Sequence, residues 1–194
     1  MDNKYCYPGT NVFINKFNIR DNVKLQELER NLTFNRLAEL ELKPIAFSFD
    51  LEHLQKIHHH IFKDLYDWAG KIRDVNIVKA NSFFAPTHNI KDYSQEIFNQ
   101  LKNENYLEGL DIKDFCNRAA YYLGEINALH PFREGNGRTQ REFIRNLALR
   151  NGYSLSWANV DREQFIKASE DSFLRGDYTG FAKILEQNIE SDKQ

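Results

Sequence analysis

The sequence predicts a mainly α-helical fold with one small β-hairpin, and three observations carry that prediction. Apolar residues recur at three-and-four spacing through most of the chain. Several of these runs open on an Asp suited to capping a helix. Residues 71–90, by contrast, lose the helical period and alternate instead. The 194 residues suffice for one domain with a full core, and no repeat, low-complexity block or linker divides them. About eight helices around one hairpin are expected.

The opening, Tyr5-Cys6-Tyr7-Pro8-Gly9-Thr10, is turn-rich. Asp21 or Asn22 then caps a helix carrying Leu25, Leu28, Leu32 and Leu40. Asp50 caps a second, whose stripe of Leu54, Ile57, Ile61, Leu65 and Trp68 marks a buried face. His58, His59 and His60 lie within it. Neighbours on a helix point about 100° apart, so the three cannot converge on one metal ion. They read as surface or partly packed residues.

Between Lys71 and Ile90, Val75 and Ile77 alternate with polar neighbours, and Lys79-Ala80-Asn81-Ser82 is turn-like. Phe83-Phe84-Ala85-Pro86 is an apolar segment closed by proline. A short hairpin here is either a lid over the core or an exposed edge that an extended segment of another protein can pair with. Lys91 to Leu107 returns to helix through Tyr93, Ile97, Phe98 and Leu101. Asp111 caps a strongly amphipathic helix carrying Phe115, Ala119, Tyr122, Leu123, Ile126 and Leu129. A further helix ends at Asn151-Gly152. Asp161 with Gln164 forms a capping box for the next, through Leu174. Gly176-Asp177 breaks it, and Thr179 starts a last helix to about Ile189.

A net charge of −2, with basic and acidic residues interspersed, argues against a nucleic-acid-seeking protein. Cys6 and Cys116 are isolated, which suggests neither a zinc site nor a disulfide scaffold. No leader and no long apolar run is present, so the expectation is a cytoplasmic protein with no membrane contact.

The chemistry concentrates in His130-Pro131-Phe132-Arg133-Glu134-Gly135-Asn136-Gly137-Arg138-Thr139-Gln140-Arg141. Pro131 biases His130 toward an extended backbone, so the preceding helix should stop at Leu129. Gly135 and Gly137 relieve the loop that feeds the next helix, whose free N–H groups and positive dipole end form an anion site. Arg138 and Arg141 share a helical face beside it, a pairing suited to a chain of phosphates. Glu134 would repel phosphate unless a cation bridges them, and Mg²⁺ held by a carboxylate and substrate phosphates is the usual arrangement. His130 is the nearby group able to exchange a proton near neutral pH.

This stretch resembles the signature of the Fic family, His-x-Phe-x-Asp/Glu-Gly-Asn-Gly-Arg-x-x-Arg, at every specified position. The resemblance extends to the Tyr-x-Gly-Thr opening and to Leu65–Arg73, which is similar to the helix end preceding the family's flap. It implies a single Fic domain over 1–194, a Fic-type helical bundle, with the flap at about 71–90 and the signature loop and helix at 130–150.

Fic domains mostly transfer AMP from ATP to a hydroxyl side chain of another protein. The resemblance makes His130 the base and Glu134 the Mg²⁺ ligand. It gives the anion hole to Gly135, Asn136 (amide and side chain) and Gly137, and the β- and γ-phosphates to Arg138 and Arg141. Phe132 packs the loop, and Phe83, Phe84 and Ala85 form the flap segment that docks the target. The Doc branch, which passes on the γ-phosphate, carries Lys in place of the second glycine, so Gly137 and Arg138 favour AMP transfer. A Doc-like kinase, a non-catalytic nucleotide- or phosphopeptide-binding module and a host-directed effector using the same chemistry stand as the alternatives.

In this family a helix bearing Ser/Thr-x-x-x-Glu-Gly/Asn sets its Glu on the second signature arginine. The only partial match here is Ser48-Phe49-Asp50-Leu51-Glu52, followed by His53, on a helix with its own core stripe, and it is rejected. The resemblance is therefore to the branch silenced by a separate small antitoxin, which includes toxins acting on the ATPase subunits of DNA gyrase and topoisomerase IV.

Overall fold

The computed structural model describes residues 4–79 and 82–191, with the backbone alone at Lys79, Ser82 and Phe83. Asp21 caps α1 (Asn22–Leu42), its carboxylate accepting from the N–H groups of Val23 and Lys24. α1 buries only Leu25, Thr33 and Leu40, so it lies on the outside with one thin seam inward. Asp50 likewise caps α2 (Leu51–Phe62) through the His53 N–H. α2 stops six residues before Trp68, because the chain turns at Phe62, whose carbonyl accepts from both Leu65 and Tyr66. Leu65 and Tyr66 still reach the core from that turn. Gly70 closes it at φ +80, where a Cβ would stand 2.8 Å from that of His59.

The hairpin follows as β1 (Val78–Lys79) antiparallel to β2 (Ser82–Phe83), with Val78 opposite Phe83. Ala80 and Asn81, read as its turn, lie outside the described residues. α3 (Ile90–Asn103) ends sooner than Leu107, since Asn105, Tyr106 and Leu107 all take positive φ in a short 3₁₀ turn. α4 (Ile112–Leu129), capped by Asp111, is the central helix, with Phe115, Ala119, Tyr122, Leu123 and Leu129 fully buried. It packs against α3, α5 (Asn136–Arg150), α6 (Arg162–Arg175) and α7 (Thr179–Asn188).

A second two-stranded sheet pairs β3 (Tyr153–Leu155) with β4 (Ile189–Ser191). Sequence periodicity did not reveal it, and Ile189 belongs to this strand rather than to the last helix. Strands this short carry too few side chains to show a period of two. The described residues hold seven α-helices. The architecture is the mainly helical one expected, with a small hairpin at residues 78–83.

Candidate active site

α4 delivers His130 and α5 begins six residues later, so the whole chemistry-bearing loop is a tight connection between two core helices. The helix stops at Leu129 as Pro131 requires, but His130 is left-handed (φ 44, ψ 58) rather than extended. Its N–H closes the last turn onto Ile126 O (3.1 Å), while its carbonyl accepts from Arg73 Nε (2.7 Å) and that of Pro131 from Arg73 N–H (2.9 Å). A non-glycine residue in this region costs on the order of 1 kcal/mol and persists where surrounding bonds over-determine it. The imidazole is 7% exposed, and Phe84 lies face-on upon it, ring centroids 3.7 Å apart. Its Nδ1 lies 3.3 Å from Asn127 O. A carbonyl only accepts, so Nδ1 carries the proton in that contact and Nε2 is the basic nitrogen.

Gly135 caps α5 at φ +81, packed so closely that a Cβ would meet the Phe62 ring at 2.3 Å. Phe132 is buried, as expected. The Asn136 side chain does something other than face an anion. Its Oδ1 accepts from Phe132 N–H (2.9 Å) and its Nδ2 donates to Phe132 O (2.8 Å), so it clamps the loop shut upon itself. What the helix mouth does offer is backbone: the N–H groups of Asn136, Gly137 and Arg138 meet no acceptor among the described residues. These three donors and the positive helix end are chemically suited to an anion. Glu134 stands at the rim of this mouth, with Oε1 accepting from Gly135 N–H (3.0 Å). No cluster of three or more His, Cys, Asp or Glu suited to a metal exists among the described residues. A single protein carboxylate beside open amides fits Mg²⁺ only together with bound phosphates.

The two arginines are not equivalent. Arg138 Nη2 donates to Glu29 Oε1 (2.6 Å) and Nη1 to Thr33 Oγ1 (3.1 Å), and the guanidinium lies over Phe62. Tyr66 donates to the other Glu29 oxygen at 2.5 Å, completing a network that ties α1 and the turn after α2 to α5. Arg141 has no acidic partner among the described residues and rests over Phe165. Burial, then the nearby charge of Arg138, holds its pKa below the usual arginine range. It shares with Arg138, Arg145 and Arg162 a cavity of 580 Å³, walled on its apolar side by Trp157 and Phe165.

Of the histidine run read as surface or partly packed, His59 is exposed and His60 half-buried, but His58 departs from that reading. It is fully buried, stacked on Phe132 with centroids 4.0 Å apart. Gly70 N–H donates to Nδ1 (2.8 Å), and Nε2–H donates to Glu134 O (3.0 Å), which defines a neutral ring. Burial pushes its pKa down to about 3. Its place on the same stripe as Leu54 and Ile61 is the signal that pointed inward. Glu29 and Thr33 were also missed, and no motif marks them; Arg73 closes the Leu65–Arg73 stretch that resembles the family, but its role was not read from it. Of the flap residues, Phe83 pairs through its backbone and its side chain is not described, Phe84 covers His130, and Ala85 N–H donates to Ala128 O (3.1 Å). Glu52, from the rejected inhibitory match, sits on the surface paired with Lys56.

A sequence profile of the Fic/DOC family matches residues 48–148, which span the α2 stripe, the flap and the signature. The chain belongs to the Fic/DOC family. Among its Fic relatives, the protein adenylyltransferase VbhT of Bartonella schoenbuchensis is 46% identical over 185 residues, 95% of this chain and 38% of that protein. The probable protein adenylyltransferase Fic of Escherichia coli is 36% identical over 192 residues, 97% of this chain and 94% of that one. Among solved Fic structures, BepC of Bartonella tribocorum with bound AMPPNP superposes with a TM-score of 0.93 at 25% identity, covering 100% of this chain and 99% of that one. A Fic domain of a Bep effector from Bartonella quintana with bound ADP gives 0.91 at 26% identity, covering 97% and 95%. No helix of the described residues is long and apolar enough to cross a membrane.

Proposed function

We propose that this chain is a protein adenylyltransferase that transfers AMP from ATP to a hydroxyl side chain of a target protein. The observation that carries the reading is the α5 mouth, where three unfilled amides adjoin Arg141, a cation with no acidic partner among the described residues. The relatives named for adenylyl transfer and the neighbours holding ADP or AMPPNP support it.

In this reading the triphosphate lies across the α5 mouth, with Arg141 on its terminal phosphate. The target hydroxyl oxygen bonds to the α-phosphorus, the bond from that phosphorus to the bridging oxygen breaks, and pyrophosphate leaves. His130 Nε2 takes the hydroxyl proton, a contribution of roughly 10²–10⁴-fold. Glu134 would hold Mg²⁺, which offsets the charge gathering on pyrophosphate. Arg138 keeps Glu29 and so fixes the α5 mouth, rather than binding phosphate alone. The flap segment Phe83–Ala85 aligns the target by strand addition.

The proposal extends to a toxin of the cytoplasm, acting on the ATPase subunits of DNA gyrase or topoisomerase IV and silenced by a separate small antitoxin. That partner would carry Ser/Thr-x-x-x-Glu-Gly/Asn, a motif that does not occur in these 194 residues, and set its Glu on Arg141. Purified gyrase and topoisomerase IV subunits incubated with α-labelled ATP and Mg²⁺ test this. Label on a subunit, lost with His130→Ala and shown by mass spectrometry to be AMP, supports the reading. Label from γ-labelled ATP instead would make the protein a Doc-like kinase. Nucleotide binding that survives His130→Ala, with no covalent product on any partner, would make it a binding module.

A further inference from the structure

Arg73 is 2% exposed, and no carboxylate pairs with it among the described residues. A buried guanidinium without a counter-ion is rare, since burial disfavours the charge; here burial lowers its pKa. What it has instead is carbonyls. Nε donates to His130 O (2.7 Å), Nη1 to Val75 O (2.9 Å) and Nη2 to Ala85 O (2.5 Å), while its backbone N–H donates to Pro131 O (2.9 Å). Two of these acceptors belong to the signature loop, and the other two flank the hairpin. The planar fork reaches three divergent oxygens at once, which the point charge of a lysine cannot reproduce. Ala85 is also bonded to Ala128, in the last turn of α4, and Phe84 beside it covers the His130 ring.

We propose that Arg73 is a positioning residue that joins the root of the flap and His130 into one rigid piece. A target strand laid on the flap is thereby held at a fixed distance from the imidazole. This rests on the reading of His130 as base and of the flap as docking edge. The nucleotide cradle is held separately, by His58 on Glu134, Asn136 on Phe132 and Arg138 on Glu29, none of which involves Arg73. Loss of Arg73 should then uncouple transfer from nucleotide binding.

The test uses the full chain with Arg73→Lys and Arg73→Met. Affinity for Mg²⁺-AMPPNP is measured by calorimetry, the His130 ring C–H signals by NMR, and AMP transfer to the target by label. The expected result is unchanged AMPPNP affinity and transfer slower by roughly 10²-fold, the cost of a misplacement of about 1 Å. The His130 signals should move downfield toward those of Phe84→Ala, because the ring no longer lies under the phenyl face. Guanidinium added to Arg73→Ala should restore part of the rate. Unmoved His130 signals, or AMPPNP binding lost in step with transfer, would overturn the proposal. Should every variant fail to fold, hydrogen exchange on the unaltered protein decides. The amides of Arg73 and Ala85 should open together as one unit, and Ala85 exchanging freely while Arg73 stays protected sinks the idea. If the unaltered protein transfers no AMP, the base reading fails, whereas the NMR and exchange results still test Arg73.

Discussion

Replacing His58 with phenylalanine keeps the stack on Phe132 and removes two hydrogen bonds. The Gly70 N–H and the Glu134 carbonyl, both half-buried, then lose the imidazole as their partner. Two hydrogen bonds at a net of about 0.5–1.5 kcal/mol each predict a loss of about 1–3 kcal/mol at pH 7. The pH dependence is the sharper test. Burial holds the folded His58 at about 3, well below its ordinary 6.5, so the unfolded chain takes up the proton first. Wild-type stability is therefore full above pH 6.5 and is lost as the pH falls toward 3, at about 1.4 kcal/mol per pH unit. The phenylalanine variant has no such proton to take up. From pH 7 to pH 5 the gap between the two proteins should narrow by about 2 kcal/mol. His53, lowered to about 4 by burial, is present in both and cancels from the difference. Urea unfolding at several pH values measures it. A gap that stays constant over this range would refute the buried, neutral, doubly bonded ring on which the argument rests.

Gly135→Ala must accommodate a left-handed backbone and a Cβ at 2.3 Å from Phe62. Strain of about 1–2 kcal/mol and overpacking of about 1–3 kcal/mol predict a combined loss of about 2–5 kcal/mol, read by denaturant unfolding. Arg141→Ala should leave unfolding nearly unchanged and weaken Mg²⁺-AMPPNP binding by roughly 10–150-fold, the worth of charge-assisted bonds of about 1.5–3 kcal/mol. Arg138→Ala should do the reverse in larger part, costing about 1–3 kcal/mol of stability by stranding the half-buried Glu29. Equal effects of the two arginines on calorimetric binding would contradict their different placement. Glu134→Gln should lower the transfer rate and shift its Mg²⁺ requirement upward while calorimetry without metal changes little, and a transfer rate indifferent to this substitution would remove the carboxylate from the metal's coordination.

Much of this molecule was legible before any coordinates. Helix type, the Asp caps at Asp21, Asp50, Asp111 and Asp161, and the hairpin between Lys71 and Ile90 all follow from local periodicity and side-chain chemistry, which act over a few residues. The signature was legible for the same reason. Glycines, a proline, an imidazole and a carboxylate within one short loop constrain the backbone and the chemistry together. Folding alone decided how those residues divide the work. Asn136 turned from the anion to its own loop because Phe132 presents both a donor and an acceptor to it. Arg138 and Arg141 parted because α1 brings Glu29 into an ion pair with Arg138, whereas Arg141 makes no ion pair among the described residues. His58 and Arg73 became supports of the loop through contacts with residues 76 and 57 positions away. A chain records what each residue can bond to; only its path through space selects the partner, because hydrogen bonds and ion pairs act over a few ångströms however far apart the residues lie in sequence.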